Sequence, residues 1–220
     1  MIGNQCWMKE NLRTTHFANG DSISMGSTVY SDFYSIDVNN YILYYAPNDD
    51  FSNVPAYGLL YNWWAATHGG APENSNANPS GVQGVCPAGW HLPSTSEAGQ
   101  LQQYIMSKPE YVCAFTANSI AKALADSLNC ETSTADCAVG NDLSTNNVTG
   151  FTAMPAGTVS LCNYNHSICY YFGSSAKFWT TLWVSNASDA EAFGINSSAY
   201  AWTESHFDKR NAYSVRCVRD

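Results

Sequence analysis

Eight cysteines (Cys6, Cys86, Cys113, Cys130, Cys137, Cys162, Cys169 and Cys217) punctuate this 220-residue chain from end to end, and an even set of that kind limits the fold more than any other feature. In an oxidising compartment they pair into disulfides. Cys130 to Cys137 and Cys162 to Cys169 would each close an eight-residue loop. Loop entropy assigns such a closure about 2.5 kcal/mol, against about 5 kcal/mol for a bridge as long as Cys86 to Cys217. Zinc or an iron–sulfur cluster would ask for CxxC knuckles or histidine partners, and the sequence has neither. Disulfides are the expectation, with metal thiolates and a mixture of free thiols as the competing states.

The cross-links are not needed to make folding possible. A chain of this length buries about 70% of its extended surface, and 45% of its residues are apolar, so one domain over 1–220 can close its own core. Nine basic residues stand against eighteen acidic ones, a formal charge of −9, and the bases never form a run of three. Nucleic-acid binding draws on a concentrated positive footprint that releases phosphate counterions. No nucleic-acid partner is expected, nor an anionic membrane surface. No apolar run approaches the roughly 20 residues of a transmembrane helix, so no transmembrane segment is expected. Residues 2–16 (IGNQCWMKENLRTTH) have no apolar signal core. The expectation is a mature fragment of an exported protein whose leader, lipid anchor or stalk lies upstream.

Along the chain, residues 2–8 and Leu12 to Phe17 are short strand candidates, and Tyr41 to Ala46 (YILYYA) is a firmer one between turn residues. Residues 57–66 (YGLLYNWWAA) suit a buried strand or a short helix equally. Residues 67–85 read as a long internal loop, because Cys86 and Trp90 directly after it ask for burial. Ser94 and Glu97 form a capping-box pattern, with Leu101, Tyr104 and Ile105 on one helical face and Pro109 beyond the end. A second helix is predicted over 118–128, capped by Asn118, with Ile120, Leu124 and Leu128 as its buried stripe. Strand-like pieces follow at 151–154, 169–172, 178–184, 192–195, 199–202 and 213–218. Two early helices and a β-rich second half make the fold class α+β.

Chemical motifs are scarce. No GxSxG elbow, HExxH, P-loop or dinucleotide fingerprint occurs, and no two of His16, His68, His91, His166 and His206 form a short-spaced pair. His91 reads as a semi-buried residue whose ring nitrogens bond to backbone, with catalysis as the lesser alternative. His206 and Asp208, in SHFDKRN, read as a solvated charge run, with binding as the lesser alternative. Carboxylates for paired acid–base work would come from Asp49, Asp50, Asp189, Glu191, Glu204 and Asp208. Asp49-Asp50 reads as a solvent-facing turn. No cofactor is implied, and calcium held by scattered loop oxygens is the one ion left open. Trp63, Trp64, Trp90 and Trp179 read as core. Trp183, Tyr200 and Trp202 stand near Asn186, Asn196 and Ser197-Ser198, and rigid rings beside short amides suit recognition. The alternative is a sheet face covered by its own neighbours. The sequons at Asn147, Asn165, Asn186 and Asn196 are what chance places in so Asn-, Ser- and Thr-rich a chain.

Six segments then fall into a recognisable order: IGNQCWMKENLRTTHFANGDSI at 2–23, YGLLYNWWAA at 57–66, VCPAGWHLPSTSEAGQL at 85–101, GFTAMPAGT at 150–158, FWTT at 178–181 and YSVRCVRD at 213–220. Together they resemble the Fibrobacter succinogenes major paralogous domain of bacterial surface lipoproteins, secreted proteins and pilin-like proteins. CPAGWHLP with the closing SVRC is the most specific part. The resemblance implies a C-type-lectin-like fold, distantly similar to formylglycine-generating enzymes, with twisted antiparallel sheets, two flanking helices and the chain ends held together. It implies a Cys86–Cys217 bridge. Members usually carry an apolar residue at the place of Cys6, which implies an added cysteine partnered by Cys113, with Cys130–Cys137 and Cys162–Cys169 as local clips. Two departures stand out. Ala98-Gly99 follow Glu97 where members place a tryptophan, and neither the cysteine pair of the copper-using relatives nor a calcium tripeptide such as EPN or WND is recognisable.

The leading expectation is a non-catalytic, disulfide-rich module outside or on the surface of a bacterium, serving adhesion or ligand recognition in a pilin-like or lipoprotein assembly. Its partner would be a glycan or a surface protein. Contacts are expected around 183–211. Trp183, Tyr200 and Trp202 would give flat apolar area, and Asn186, Asn196, His206, Asp208, Arg210 and Asn211 directional polar contacts. The 67–85 loop would form a second face. One rival is a structural subunit that self-associates in a filament or envelope layer. The other is a secreted enzyme, either a glycan hydrolase or an oxidase of the formylglycine-generating type.

Overall fold

The computed structural model describes residues 1–35, 41–71, 76–113, 116, 118–162, 167–183 and 188–220. The first third is built from short pieces: β1 (Ser24–Met25), α1 (Tyr30–Ser35), β2 (Leu43–Tyr45), α2 (Val54–Tyr57), β3 (Leu60–Asn62) and α3 (Trp63–Thr67). The ambiguity over 57–66 resolves into both alternatives, and Asn62 is the reason. Its backbone is extended while its side chain accepts the Ala65 N–H, so one residue ends the strand and caps the helix.

After β4 (Trp90–His91) comes the predicted helix, α4 (Thr95–Met106). Its capping box is complete: the Ser94 hydroxyl accepts the Glu97 N–H at 3.2 Å, and the Glu97 carboxylate accepts the Ser94 N–H at 2.9 Å. Leu101 and Ile105 are buried as the spacing requires. The second helix shrinks to one turn, α5 (Ala121–Leu124). Ala125 leaves it in extended conformation to bridge Ala153, and the Asp126 carboxylate then accepts the N–H groups of Leu128 and Asn129. Ile120 and Leu124 are buried, but Leu128, beyond the break, is 81% exposed. Asn118 caps nothing; its side chain ties Gln102 to the carbonyl of Trp202.

The remaining strands are β5 (Ser160–Leu161), β6 (Ile168–Cys169), β7 (Ser175–Trp183), β8 (Asp189–Asn196), β9 (Thr203–Asp208), β10 (Ala212–Tyr213) and β11 (Val218–Arg219). They make four sheets, ordered β1-β2-β3-β10, β11-β4, β5-β6 and β7-β8-β9, antiparallel except for the β1–β2 pair. Residues 199–202, expected as a strand, are irregular chain between the turn at 197–198 and β9. The candidates at 2–8, 12–17 and 151–154 contribute isolated bridges rather than strands.

The three-stranded sheet lies between two cores. Phe178, Phe193 and Ile195 pack with Leu101, Ile105, Leu124, Phe151 and Trp202 on one face. Trp179, Ala190 and Ala192 pack with Leu59, Tyr61, Trp63 and Tyr213 on the other. Covered on both sides, β8 reads as a nearly continuous apolar run instead of an alternating one. The result is a mixed α+β fold with several antiparallel sheets.

Three disulfides brace it. Cys86–Cys217 and Cys162–Cys169 are those expected, with Cα separations of 6.0 and 5.3 Å. The third, Cys113–Cys137 with Cα atoms 5.5 Å apart, replaces both Cys6–Cys113 and Cys130–Cys137 and leaves Cys6 and Cys130 as free thiols. Spacing sets the entropy of a closure but not where side chains point. Cys6 is committed to the last strand, its carbonyl accepting the Arg219 N–H, and the Cys130 side chain is buried in the core against the Asp126 carbonyl. Burial, with the nearby Asp126 charge, pushes the Cys130 thiol up to about 12.

The chain ends run side by side, as the family resemblance implied. Met8 donates to the Cys217 carbonyl, Leu12 to that of Val215, and Trp7 bridges Val218. Arg216 fastens this junction from inside. Fully buried, it donates to the carbonyls of Met8, Phe151 and Thr152 and to Oδ1 of Asn11, with the Phe151 ring 4.5 Å from its guanidinium. Its acceptors are neutral, so burial pulls the guanidinium pKa down to about 9 despite the charge of Glu10.

Candidate functional site

The residues expected to make contacts divide between the two ends of the β7–β8–β9 sheet, about 20 Å apart along a six-residue strand. At one end Trp183, half-buried, joins Trp63 and Trp64 around the Lys209 ammonium, which lies 4.1, 4.6 and 5.1 Å from the three rings respectively. Burial lowers the Lys209 pKa, against the pull of Asp189. The Trp183 indole also donates to the Ala71 carbonyl, so this ring anchors a loop and cages a lysine rather than standing free. Next to it, Arg210 holds Asp208 through Nε and Nη2, the latter at 2.6 Å, and Asn211 donates to the Tyr213 hydroxyl.

At the other end, the Asn196 side chain accepts the N–H and hydroxyl of Ser198, and Tyr200 is 46% exposed. Trp202 corrects the expectation: it is 3% exposed, stacked on Phe193 with ring centres 4.5 Å apart, and its indole donates to Glu204. A ring in the core has no face to offer a ligand. Asn186 lies outside the described residues.

Between the ends the sheet carries a polar cluster that residue type alone did not assemble. Glu191, on β8, pairs across the ladder with His206, on β9, and their side chains therefore share a face with Glu204 two residues along. Glu191 is buried. Its Oε1 accepts the Thr95 hydroxyl at 2.5 Å, its Oε2 lies 3.7 Å from Nε2 of the exposed His206, and Thr180 donates to its carbonyl. Burial raises the Glu191 pKa, reinforced by the charge of Glu204 and opposed by Thr95 and His206. Thr95 and Thr180 escaped sequence reading because nothing in their local pattern announces a contact across 96 and 11 residues respectively. The usable signal was a lone glutamate inside the apolar run AEAFGI.

His91 is the other ionisable centre, and its partners are not backbone groups. Nε2 lies 2.7 Å from Oε1 of Glu97, and Nδ1 lies 2.7 Å from Oδ1 of Asp220. Each ring nitrogen thus faces a carboxylate oxygen. The burial that would lower its pKa is outweighed by the hydrogen bonds and charges of Glu97 and Asp220, and the net direction is upward. The second Glu97 oxygen accepts the N–H groups of Ser80 and Ser94. A cleft of about 430 Å³ borders this centre, lined by His91, Glu97, Asp220 and the thiol-bearing Cys6. With a carboxylate at each ring nitrogen, His91 has neither one free to activate that thiol. Among the described residues, no group of three or more His, Cys, Asp or Glu side chains is arranged to hold a metal ion.

A disulfide-braced α+β domain, with Arg216 and His91 buried among acceptors at the junction of its ends and one sheet margin open to water, is the class these features define. The chain belongs to the Fibrobacter succinogenes major domain family, whose model matches residues 1–219. No curated protein and no solved structure matches it. No helix among the described residues is long and apolar enough to cross a membrane.

Proposed function

We propose that the domain is a non-catalytic recognition module displayed outside a bacterial cell, in a pilin-like or lipoprotein assembly, and that the β8–β9 margin makes its contact with a glycan or a surface protein. The observation that carries this reading is the contrast within one sheet. Residues 203–206 are all exposed, while β8 beside them is buried almost throughout. Glu204 and His206 stand in water above the semi-sequestered Glu191, with Tyr200 beyond one end of the strand and Arg210 beyond the other. Rigid support under exposed polar groups keeps the ordering cost of binding low. The three disulfides favour an oxidising, extracellular setting. The paired chain ends and a long helix packed on a three-stranded sheet support the C-type-lectin-like likeness as part of the same proposal.

The test is binding of the intact domain to a glycan array and to immobilised bacterial and host surface proteins, alongside a Glu204→Ala, His206→Ala variant. Binding should fall at least about tenfold in the variant; undiminished binding by the folded variant overturns the assignment. Thiol labelling addresses the oxidase rival. Cys6 alone should react in the native state, and Cys130 only after unfolding, whereas two reactive native thiols would favour redox chemistry.

A further inference from the structure

We propose that β9 takes up an extended segment of a partner as an additional strand, and that the segment carries basic side chains at alternate positions. This rests on the β8–β9 margin being the contact surface and adds the mode of contact and the chemistry of the partner. β9 is the edge of its sheet. Lys209 donates its N–H to the Ser188 carbonyl at 2.9 Å, and the same register continues from Asp189 opposite Asp208 to Gly194 opposite Thr203. Hydrogen-bonded and non-bonded pairs alternate along an antiparallel ladder. Thr203, Ser205 and Phe207 therefore turn their main-chain groups toward β8, and Glu204, His206 and Asp208 turn theirs outward. The Asp208 carbonyl is taken by the Asn211 N–H. Among the described residues, nothing meets the N–H and C=O groups of Glu204 and His206.

Natural sheet edges are usually closed by proline, charged side chains (lysine above all), a bulge or a covering loop. The sequence TESHFD has no proline and no lysine, and its register with β8 runs without a bulge; the charges it carries, on Glu204 and Asp208, are negative and repel an acidic strand but not a basic one. Strand addition uses such an edge: main-chain hydrogen bonds supply affinity, and alternate side chains supply specificity. Here one face of the added strand would meet Glu204 and His206, and the Glu204 carboxylate selects lysine or arginine. The other would lie beside Thr203, Ser205 and Phe207, which suits small or β-branched residues. The chain's formal charge of −9 favours a basic segment over an acidic one and over a second copy of the chain.

The probe is a capped Lys-Val-Lys-Val-Lys-Val peptide, compared with its Glu-Val counterpart and with the Lys-Val peptide N-methylated at alternate residues. Amide hydrogen exchange reads the outcome. The Glu204 and His206 amides should slow by at least about tenfold with the Lys-Val peptide alone, while Ser205 and Phe207 are slow throughout. His206→Pro removes an outward N–H and no β8 bond, so it should keep the fold and abolish uptake. His206→Ala should retain uptake. No protection, equal binding of the N-methylated peptide, uptake by His206→Pro, or a dimer that occupies the edge would each overturn the proposal. Loss of glycan or surface-protein binding in the Glu204→Ala, His206→Ala variant without any peptide uptake would overturn strand addition while sparing the recognition surface.

Discussion

At the junction of the chain ends, Arg216 and His91 are buried and surrounded by acceptors: three carbonyls and an amide oxygen for the first, two carboxylates for the second. Along β9, His206 and Glu204 are exposed, and the nearest opposite charge to His206 is 3.7 Å away. Both regions hold imidazole beside carboxylate. They differ in what remains to be satisfied. At the junction most polar groups consume one another, with the Arg216 Nε left over, and the charge becomes scaffold, whereas at the margin the main-chain groups of Glu204 and His206 keep capacity for a ligand.

The largest blow to this contrast would come through Arg216. Arg216→Met removes the donor from four acceptors, two of them buried at about 1–3 kcal/mol each, so the domain should lose about 5 kcal/mol in urea unfolding or fail to fold. A loss below about 1 kcal/mol would mean that the junction is not the scaffold. Removing the bridge beside it, as Cys86→Ser with Cys217→Ser, should cost up to about 5 kcal/mol by the same measurement. A smaller effect belongs to His91. Its folded pKa is raised, so the stability it adds is full below its unfolded pKa of about 6.5 and is lost as pH rises through the folded value. Unfolding midpoints between pH 5.5 and 8.5 should therefore converge on those of His91→Gln as pH rises; a pH-independent gap breaks the argument. At the margin, His206→Ala should move stability by no more than about 0.5 kcal/mol, whereas Glu204→Ala also frees the buried Trp202 indole N–H and should cost about 1 kcal/mol. A larger loss would make the margin structural too.

The sequence pattern made α4 legible because both halves of its capping box and its apolar stripe lie within a dozen residues. It made Cys86–Cys217 and Cys162–Cys169 legible through the resemblance. It overextended α5, since propensity near Leu128 yields to the pairing of Ala125 with Ala153 across 28 residues. Trp202 reads as a surface ring from its polar neighbours in sequence, but these are not its neighbours in space, where Phe193 covers it. His206, Asp208 and Arg210 were found in sequence, but the partner that gives His206 meaning, Glu191, arrives through strand register.

Local chemistry fixed the α+β class, the long helix, the turn-rich first third and the family, because capping, periodicity and motif order act over short stretches of chain. Only the tertiary structure chose Cys113–Cys137 over two other pairings, put two carboxylates on His91, buried Arg216 among carbonyls and left β9 as an open edge. Those outcomes depend on which distant groups meet and in what orientation, and the direction of a side chain is settled by packing rather than by its position along the chain.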